Sequence, residues 1–169
     1  MIRDVMDRKS ARVGLSDSMG LAAELLVLTQ ASDLMVIDEV GSFIGVLSEG
    51  DILRMLIPDL EGVVDSGISL RRAFELFVEG GRRYADQPIG RLVIRSSITV
   101  APDDELLKAA TVMVTKQIRR LPVVESGQFL GTVSRGDICW ALLCDTHVQR
   151  SGRSEAAAAV AVTAEVTGA

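Results

Sequence analysis

Two copies of a Gly-x-x-Ser-x-x-Asp motif contain the residues of this chain best suited to chemistry. The copies lie 86 residues apart and comprise Gly45, Ser48 and Asp51, and then Gly131, Ser134 and Asp137. Each copy follows an apolar strand and opens an apolar helix. A helix N-terminus offers free N–H groups and a favourable dipole to a phosphate oxygen, and the serine hydroxyl adds a donor. An aspartate three residues on can accept hydrogen bonds from both hydroxyls of a ribose, so the motif indicates nucleotide binding.

A structural interpretation of the same motif stands beside the functional one. Ser48 and Ser134 can act as helix N-caps, and an aspartate in the first turn of a helix is stabilising in its own right. Capping alone would explain one copy. It explains poorly why both copies keep the glycine, the serine and the aspartate in register with the strand upstream.

The motif belongs to a longer internal repeat. Upstream of it the matches continue at a shift of 87 residues, and they pair Leu34 with Leu121 and Val36 with Val123. Two copies are too few for a solenoid, which stacks several short units. The repeat therefore predicts two homologous halves packed face to face, with clefts at their pseudo-twofold interface.

Each half is predicted to run strand–helix–strand–strand–helix, which makes the fold class α+β. Both long helices have apolar residues at i, i+3, i+4 and i+7, and the central strands are apolar without alternation, as in strands buried on both faces. Polar clusters at 16–18 and 102–104 are expected to start helices. The predicted elements are a strand at 11–15, helices at 19–30 and 105–117, strands at 34–37, 43–47, 121–124 and 129–133, and final helices at 52–57 and 138–143.

Four segments follow from this pattern. They are a first repeat at 1–57, a linker at 58–88, a second repeat at 89–146 and a tail at 147–169. In the linker, Ser69 can cap a helix with one apolar stripe, which more often packs on the protein's own body than on a partner. The stripe comprises Leu70, Ala73, Phe74, Phe77 and Val78. The tail is rich in Ser, Gly, Ala, Val and Thr, and is expected to be poorly ordered or marginally helical.

Composition narrows the function classes. The 169 residues carry a net charge of −5, which gives no basic face for nucleic acid. Hydrophobic residues make up 48% of the chain but aromatic residues only 4%, so the core is expected to be aliphatic. The first six residues carry Arg3 and Asp4 and no apolar run, so they do not resemble a signal peptide, and no uncharged apolar run has the length of a membrane span. A cytoplasmic protein without membrane contact is expected.

Catalysis and metal binding have little support in the residues. His147, the only histidine, lies outside both repeats, and no Cys/His cluster has the spacing of a metal site. Cys139 and Cys144 are five residues apart in a predicted apolar helix and are expected to be reduced, buried thiols. The chain is therefore not expected to be an enzyme or to need a cofactor.

The two motif copies, together with Arg-Arg-Leu-Pro-Val-Val-Glu at 119–125, closely resemble the cystathionine-β-synthase (CBS) domain family. The first copy departs at Met35, where the family usually has a proline. The resemblance covers 2–57 and 89–143, and implies a CBS pair, or Bateman module. Such a pair is a regulatory or sensory module for an adenosine-containing ligand, with AMP, ADP or ATP the leading expectation and S-adenosylmethionine, NAD(H) or cyclic di-AMP as alternatives.

The same resemblance implies an assembly and a signalling role. CBS pairs usually form flat dimeric discs, so a homodimer is expected, with the apolar helices 52–57 and 138–143 at its edges. A signal would pass to an unknown effector protein or through the oligomer. The alternative from a different class is a structural dimerisation module that has lost ligand binding.

Site residues carried over from the family lie in both halves. Serine and aspartate of the motif are expected to hold phosphate and ribose, and adenine to insert between apolar strand segments. The segments that correspond here are Arg12-Val13 with 34–37, and Thr99-Val100 with 121–124, which contains Leu121, Pro122 and Val123.

Arg119 and Arg120 make the two halves unequal. In nucleotide-binding relatives basic residues here contact phosphates, often of the ligand held by the other repeat, and arginine grips phosphate bidentately. Their first-half counterparts are Ser32 and Asp33. If the clefts are shared crosswise, the better phosphate site combines the arginines with Ser48 and Asp51, and the Ser134–Asp137 site is weaker or suits a less charged ligand. The alternative is that the arginines merely pair with surface carboxylates such as Asp103.

Overall fold

The computed structural model describes residues 1–57, 67, 69–95 and 98–144, and the two repeats in it have the predicted order of elements. The first half contains β1 (Arg12–Gly14), α1 (Met19–Thr29), β2 (Asp33–Ile37), β3 (Phe43–Ser48) and α2 (Glu49–Leu56). Helix α3 (Leu70–Tyr84) follows, and the second half contains α4 (Leu106–Thr115), β4 (Arg120–Glu125), β5 (Gln128–Ser134) and α5 (Arg135–Leu143). The α+β fold class is confirmed. The predicted tail, with His147, lies outside the described residues, as do parts of the linker and positions 145–146.

The two sheets are built alike, although the second is smaller. In the first half β1 pairs in parallel with β2, and β2 pairs antiparallel with β3. In the second half β4 pairs antiparallel with β5, and the strand expected before α4 is reduced to one parallel bridge between Val100 and Val123. The register shifts after Val36 in β2 and after Val123 in β4, which are equivalent positions of the repeat. The halves therefore share even their irregularities.

Serine residues start four of the helices. The side chains of Ser18, Ser48, Ser69 and Ser134 each accept a hydrogen bond from a backbone N–H in the first turn that follows. Helix α4 differs, because its N-cap is Glu105 and makes no side-chain cap bond. The predicted cluster at 102–104 instead folds the chain just before the helix, where Asp104 accepts from the Ala101 N–H at 2.8 Å.

Each repeat begins with a short segment, 2–7 in the first and 89–94 in the second, which we call its lead-in. Each lead-in packs against the other half. The 3-10 helix Ile2–Asp4 places Ile2 in the core of the second half, whereas Ile89, from the equivalent 3-10 helix Ile89–Arg91, lies in the core of the first. Backbone hydrogen bonds complete the exchange, with two between Asp7 and Thr132 (2.7 and 2.9 Å) and two between Ile94 and Val46 (2.9 and 3.1 Å). The repeats at 1–57 and 89–146 are units of sequence, and their packing is interlocked.

This exchange explains the glycine of the motif. A Cβ on Gly45 would lie 2.3 Å from the carbonyl oxygen of Ile94, and a Cβ on Gly131 would lie 2.4 Å from that of Asp7. Real Cβ atoms do not approach a backbone oxygen so closely, so only glycine lets the lead-in of the other repeat pair at this point.

Two expectations about buried side chains are corrected by the structure. Cys139 and Cys144 are free thiols but are exposed, because α5 turns Asp137, Ile138 and Ala141 inward instead. The stripe of α3 is only partly covered by the protein's own body. Ala73 is buried, but Leu70 is 86% and Phe74 is 66% exposed, since both lie on the outer side of the helix.

Candidate functional site

A cavity of about 600 Å³ lies between the halves and contains the first serine of the motif. We call it the Ser48 cleft. Its walls come from the start of β2, the end of β3 and the first turns of α2, and, across the interface, from residues 117–122. Apolar side chains in the wall include Val46, Leu53, Ile94, Ile98, Leu121 and Pro122, and the charged ones are Asp33, Glu49, Arg119 and Arg120. The cleft thus combines an apolar surface with charges of both signs.

The crosswise arrangement therefore brings Ser48 to the same cavity as Arg119 and Arg120. Asp51 is not part of the cavity wall. One carboxylate oxygen of Asp51 accepts from the Ser48 hydroxyl at 2.6 Å and from the Ser48 N–H at 3.2 Å, and the other accepts from Arg54. Burial alone would raise the pKa of Asp51, but the hydrogen bonds from Ser48 and Arg54 outweigh it and hold the pKa below its ordinary value.

A second, smaller cavity of about 330 Å³ adjoins the equivalent serine of the second half. We call it the arginine pocket, because Arg119, Arg120 and Arg135 all line it, together with Gln30, Ala31, Ser32, Ser134 and Gly136. Asp137 is 3% exposed and does not reach the wall. Its carboxylate accepts from the Ser134 N–H at 2.7 Å and from the Ser134 hydroxyl at 2.8 Å, so the capping box of the first half is repeated.

The three arginines are held in different ways. Arg120 donates to the hydroxyl of the fully buried Thr132 at 3.1 Å. Arg135 donates to the carbonyl oxygens of Ile118 and Met113 at 2.9 and 2.8 Å, which fixes its side chain at the end of α4. The Arg119 side chain is exposed and makes no hydrogen bond or ion pair within the described part of the chain.

The alternative pairing of Arg119 and Arg120 with surface carboxylates is not found among the described residues. Asp103, the partner considered, forms its ion pair with Arg3. Both arginines line the Ser48 cleft and the arginine pocket, so they separate the two cavities and belong to both.

Most of the other expected site residues lie in the core or at another cavity, and only Leu121 and Pro122 reach the Ser48 cleft. Val13 belongs to the core of the first half, and Val100, Leu121 and Val123 belong to the core of the second. Among these, Leu121 also reaches the Ser48 cleft, next to Pro122. Arg12 and Val13 line a different cavity, at the ends of β1 and β2, which contains neither motif serine.

Several wall residues were not found from the sequence. Ile94 and Ile98 line the Ser48 cleft because the second lead-in crosses to the first half. Arg135 lines the arginine pocket from an unremarkable position inside the motif. Within residues 1–57, 67, 69–95 and 98–144, no group of three or more His, Cys, Asp or Glu side chains could hold a metal ion, and no helix is long and apolar enough to cross a membrane.

Comparison with known sequences gives a consistent result. The family model of the CBS domain matches residues 2–58 and 89–144. The protein MJ1426 of Methanocaldococcus jannaschii is 27% identical over 154 residues, which cover 85% of this chain and 91% of that protein. The chloroplastic CBS domain-containing protein CBSX2 of Arabidopsis thaliana is 28% identical over 141 residues, which cover 76% of this chain. The chain spans 56% of the length of CBSX2.

Comparison with solved structures agrees. The crystal structure of CBSX2 in complex with AMP superposes with a TM-score of 0.65 at 27% identity, covering 85% of this chain and 96% of that one. A second structure of CBSX2 from Arabidopsis thaliana gives a TM-score of 0.67 at 26% identity, covering 85% and 94%. The chain therefore belongs to the CBS domain family and carries two CBS repeats in tandem.

Proposed function

We propose that this CBS pair is a regulatory module that binds an adenine nucleotide, AMP, ADP or ATP, in the Ser48 cleft. The observation that carries the proposal is the meeting of an apolar wall with Ser48, Arg119 and Arg120 in one cavity. A nucleotide has the matching chemistry, since its base is flat and apolar on both faces and its phosphate is anionic. The AMP complex of CBSX2, a relative of the same fold, supports this choice of ligand.

Different residues of the cleft would contact the base and the phosphate. Adenine would pack against apolar side chains such as Val46, Leu53 and Pro122. The phosphate would lie at the N-terminus of α2, where Arg119 can grip it with its planar donors. Asp51 uses its carboxylate on Ser48 and Arg54, so we assign it first to positioning Ser48 and only through that residue to the ligand.

We also propose that the chain self-associates. Apolar side chains at the C-terminal ends of α2 and α5 are exposed, since 48% of the surface of Ile57, 62% of Leu142 and 83% of Leu143 is accessible. Exposed apolar surface of this kind marks interfaces, and a C2 homodimer is the commonest closed assembly. The same surface favours the alternative function, a structural dimerisation module whose clefts bind nothing.

Ligand-induced stabilisation separates the two functions. Protein shown to be free of co-purified ligand is melted with AMP, ADP, ATP, S-adenosylmethionine and GTP. At about 100 times its Kd, a ligand of the folded state raises the free energy of unfolding by roughly 2.7 kcal/mol. We expect this for adenine nucleotides and a smaller effect for GTP.

Matched variants locate the site. Leu53→Glu puts a carboxylate into the cleft wall and should abolish the stabilisation, whereas Leu107→Glu, on exposed α4, should leave it intact. A flat response of the native chain to every adenosine compound would reject the ligand-binding function and leave the dimerisation module.

A further inference from the structure

We infer that the arginine pocket is a phosphoryl-binding pocket and not a second nucleoside site, so that each chain binds a single adenine nucleotide. The assignment of the base to the Ser48 cleft rests on the function proposed above. The anion chemistry of the arginine pocket stands on its own lining residues.

The charge of the arginine pocket follows from two positions of the repeat at which the sign of the side-chain charge is reversed between the halves. Asp33 and Glu49 line the Ser48 cleft, and their equivalents in the second half are Arg120 and Arg135. With Arg119 added, the wall of the arginine pocket has three guanidinium groups and, among the described residues, no carboxylate. Guanidinium groups bind phosphoryl oxygens with paired, charge-assisted hydrogen bonds, and three in one small cavity favour a multiply charged oxyanion. A multiply charged ligand here departs from the expectation that the Ser134–Asp137 site suits a less charged ligand.

Among the described residues, the arginine pocket lacks the apolar wall that would pack against a base. The apolar Val46 and Leu53 of the first cleft are replaced at the equivalent positions by Thr132 and Cys139. Arg120 is hydrogen-bonded to Thr132, so its side chain lies where the equivalent of the apolar wall would be. Ala31 is the single apolar side chain that the described part of the chain contributes to the wall, and the volume of the cavity is about 330 Å³ against about 600 Å³ for the Ser48 cleft.

Two of the three arginines, Arg120 and Arg135, are already held in place by hydrogen bonds. Arg135 is fixed by the carbonyl oxygens of Ile118 and Met113, which use two of its five N–H groups. Arg119 is uncommitted within the described residues and lies between the two cavities. Donors that are oriented before binding lose little conformational entropy when the ligand arrives.

The phosphoryl group can come from two sources. Ser32, Arg119 and Arg120 line both cavities, so the phosphate chain of a nucleotide in the Ser48 cleft can continue into the arginine pocket. A separate inorganic phosphate or polyphosphate would use the same contacts.

Isothermal titration calorimetry of the ligand-free full chain tests the inference with adenosine, AMP, ATP and inorganic tripolyphosphate, singly and in pairs. We expect one nucleotide per chain and a binding event for tripolyphosphate alone. If ATP prevents tripolyphosphate from binding, the pocket receives the nucleotide's own phosphates. If tripolyphosphate still binds to the AMP complex, the pocket takes a separate anion. Either result supports a phosphoryl pocket.

Arg135→Ala and Arg91→Ala form the matched pair of variants. Both side chains are exposed, but Arg135 lines the arginine pocket and not the Ser48 cleft, whereas Arg91 lines neither cavity. Arg135→Ala should weaken the binding of tripolyphosphate by about tenfold or more, the scale of a charged hydrogen bond, and leave adenosine unchanged. Arg91→Ala should change neither.

Two results would overturn the inference. One is two molecules of AMP per chain, and the other is failure of tripolyphosphate to bind the native chain. The proposed function fails separately, because the absence of binding by every adenosine compound would reject it even if tripolyphosphate bound to the arginine pocket.

Discussion

The two halves of this CBS pair share one scaffold and differ in the charge of their clefts. Both have the glycine against a crossing lead-in, the serine cap and the aspartate that accepts from the serine. They differ just outside these three positions, where Asp33 and Glu49 of the Ser48 cleft give way to Arg120 and Arg135. The motif thus maintains the fold in both halves, and its neighbours decide what each cavity can hold.

The comparison also changes how the motif is interpreted. Capping accounts for the serine and the aspartate, and the interlocked lead-ins account for the glycine. Retention of all three in both halves is therefore explained by folding, without a ligand. The argument for nucleotide binding depends on the shape and lining of the Ser48 cleft.

The largest expected effect tests the shared scaffold. Gly45→Ala and Gly131→Ala should each lower the free energy of unfolding by about 3 kcal/mol or more, because the new Cβ would collide with a backbone oxygen that cannot move without breaking two hydrogen bonds. Urea unfolding of the two variants measures the loss.

Gly136→Ala is the control for that prediction. A Cβ there would lie 3.6 Å from the Ser134 hydroxyl, an ordinary contact, and alanine suits a helix better than glycine. Its stability should be unchanged or slightly higher. A tolerated alanine at either Gly45 or Gly131 would contradict the interlocked arrangement of that half.

A smaller effect is expected from the caps. Ser48→Ala and Ser134→Ala should each cost between about 1 and 2 kcal/mol, because each removes an N-cap together with the hydrogen bond that the serine hydroxyl donates to its aspartate. Ser18→Ala is the comparison, since Ser18 accepts one N–H bond and has no such aspartate partner, and it should cost less. Urea unfolding would contradict this prediction if all three variants lost the same stability.

Much of this architecture was predictable from local patterns. The order of elements followed from apolar spacing, and the starts of four helices followed from serine residues. The crossing of the lead-ins was not predictable, because Ile2 and Ile89 are equivalent in the repeat and either could pack on either half. The exposure of Cys139 was missed because α5 is apolar on several sides, so no periodicity identifies the face that is buried.

The site was predictable in part for the same reason. Local motifs indicated Ser48, Arg119 and Arg120, and their meeting across the interface required only the assumption of a shared cleft. The hydrogen bond between Arg120 and Thr132 joins two strands, and the position of the guanidinium group in the arginine pocket depends on which way this one long side chain turns. Sequence patterns do not determine that choice.

The smallest expected effect separates the two motif aspartates. Arg54 bonds to Asp51, whereas the equivalent residue three positions after Asp137 is Trp140. The pKa of Asp51 is lowered in the folded chain, so at a pH above the ordinary value of 3.8 the ionised carboxylate stabilises the fold. This contribution is lost as the pH falls through the lower pKa of the folded chain.

Arg54→Ala should lower the free energy of unfolding by between about 0.2 and 1 kcal/mol at neutral pH, since the Arg54 side chain is largely exposed. The difference between the native chain and the variant should vanish once Asp51 is protonated, as followed by urea unfolding from neutral to acidic pH. Arg91→Ala should show no such dependence, and a cost of Arg54→Ala that persisted unchanged in acid would mean that Arg54 acts by packing and not by its charge.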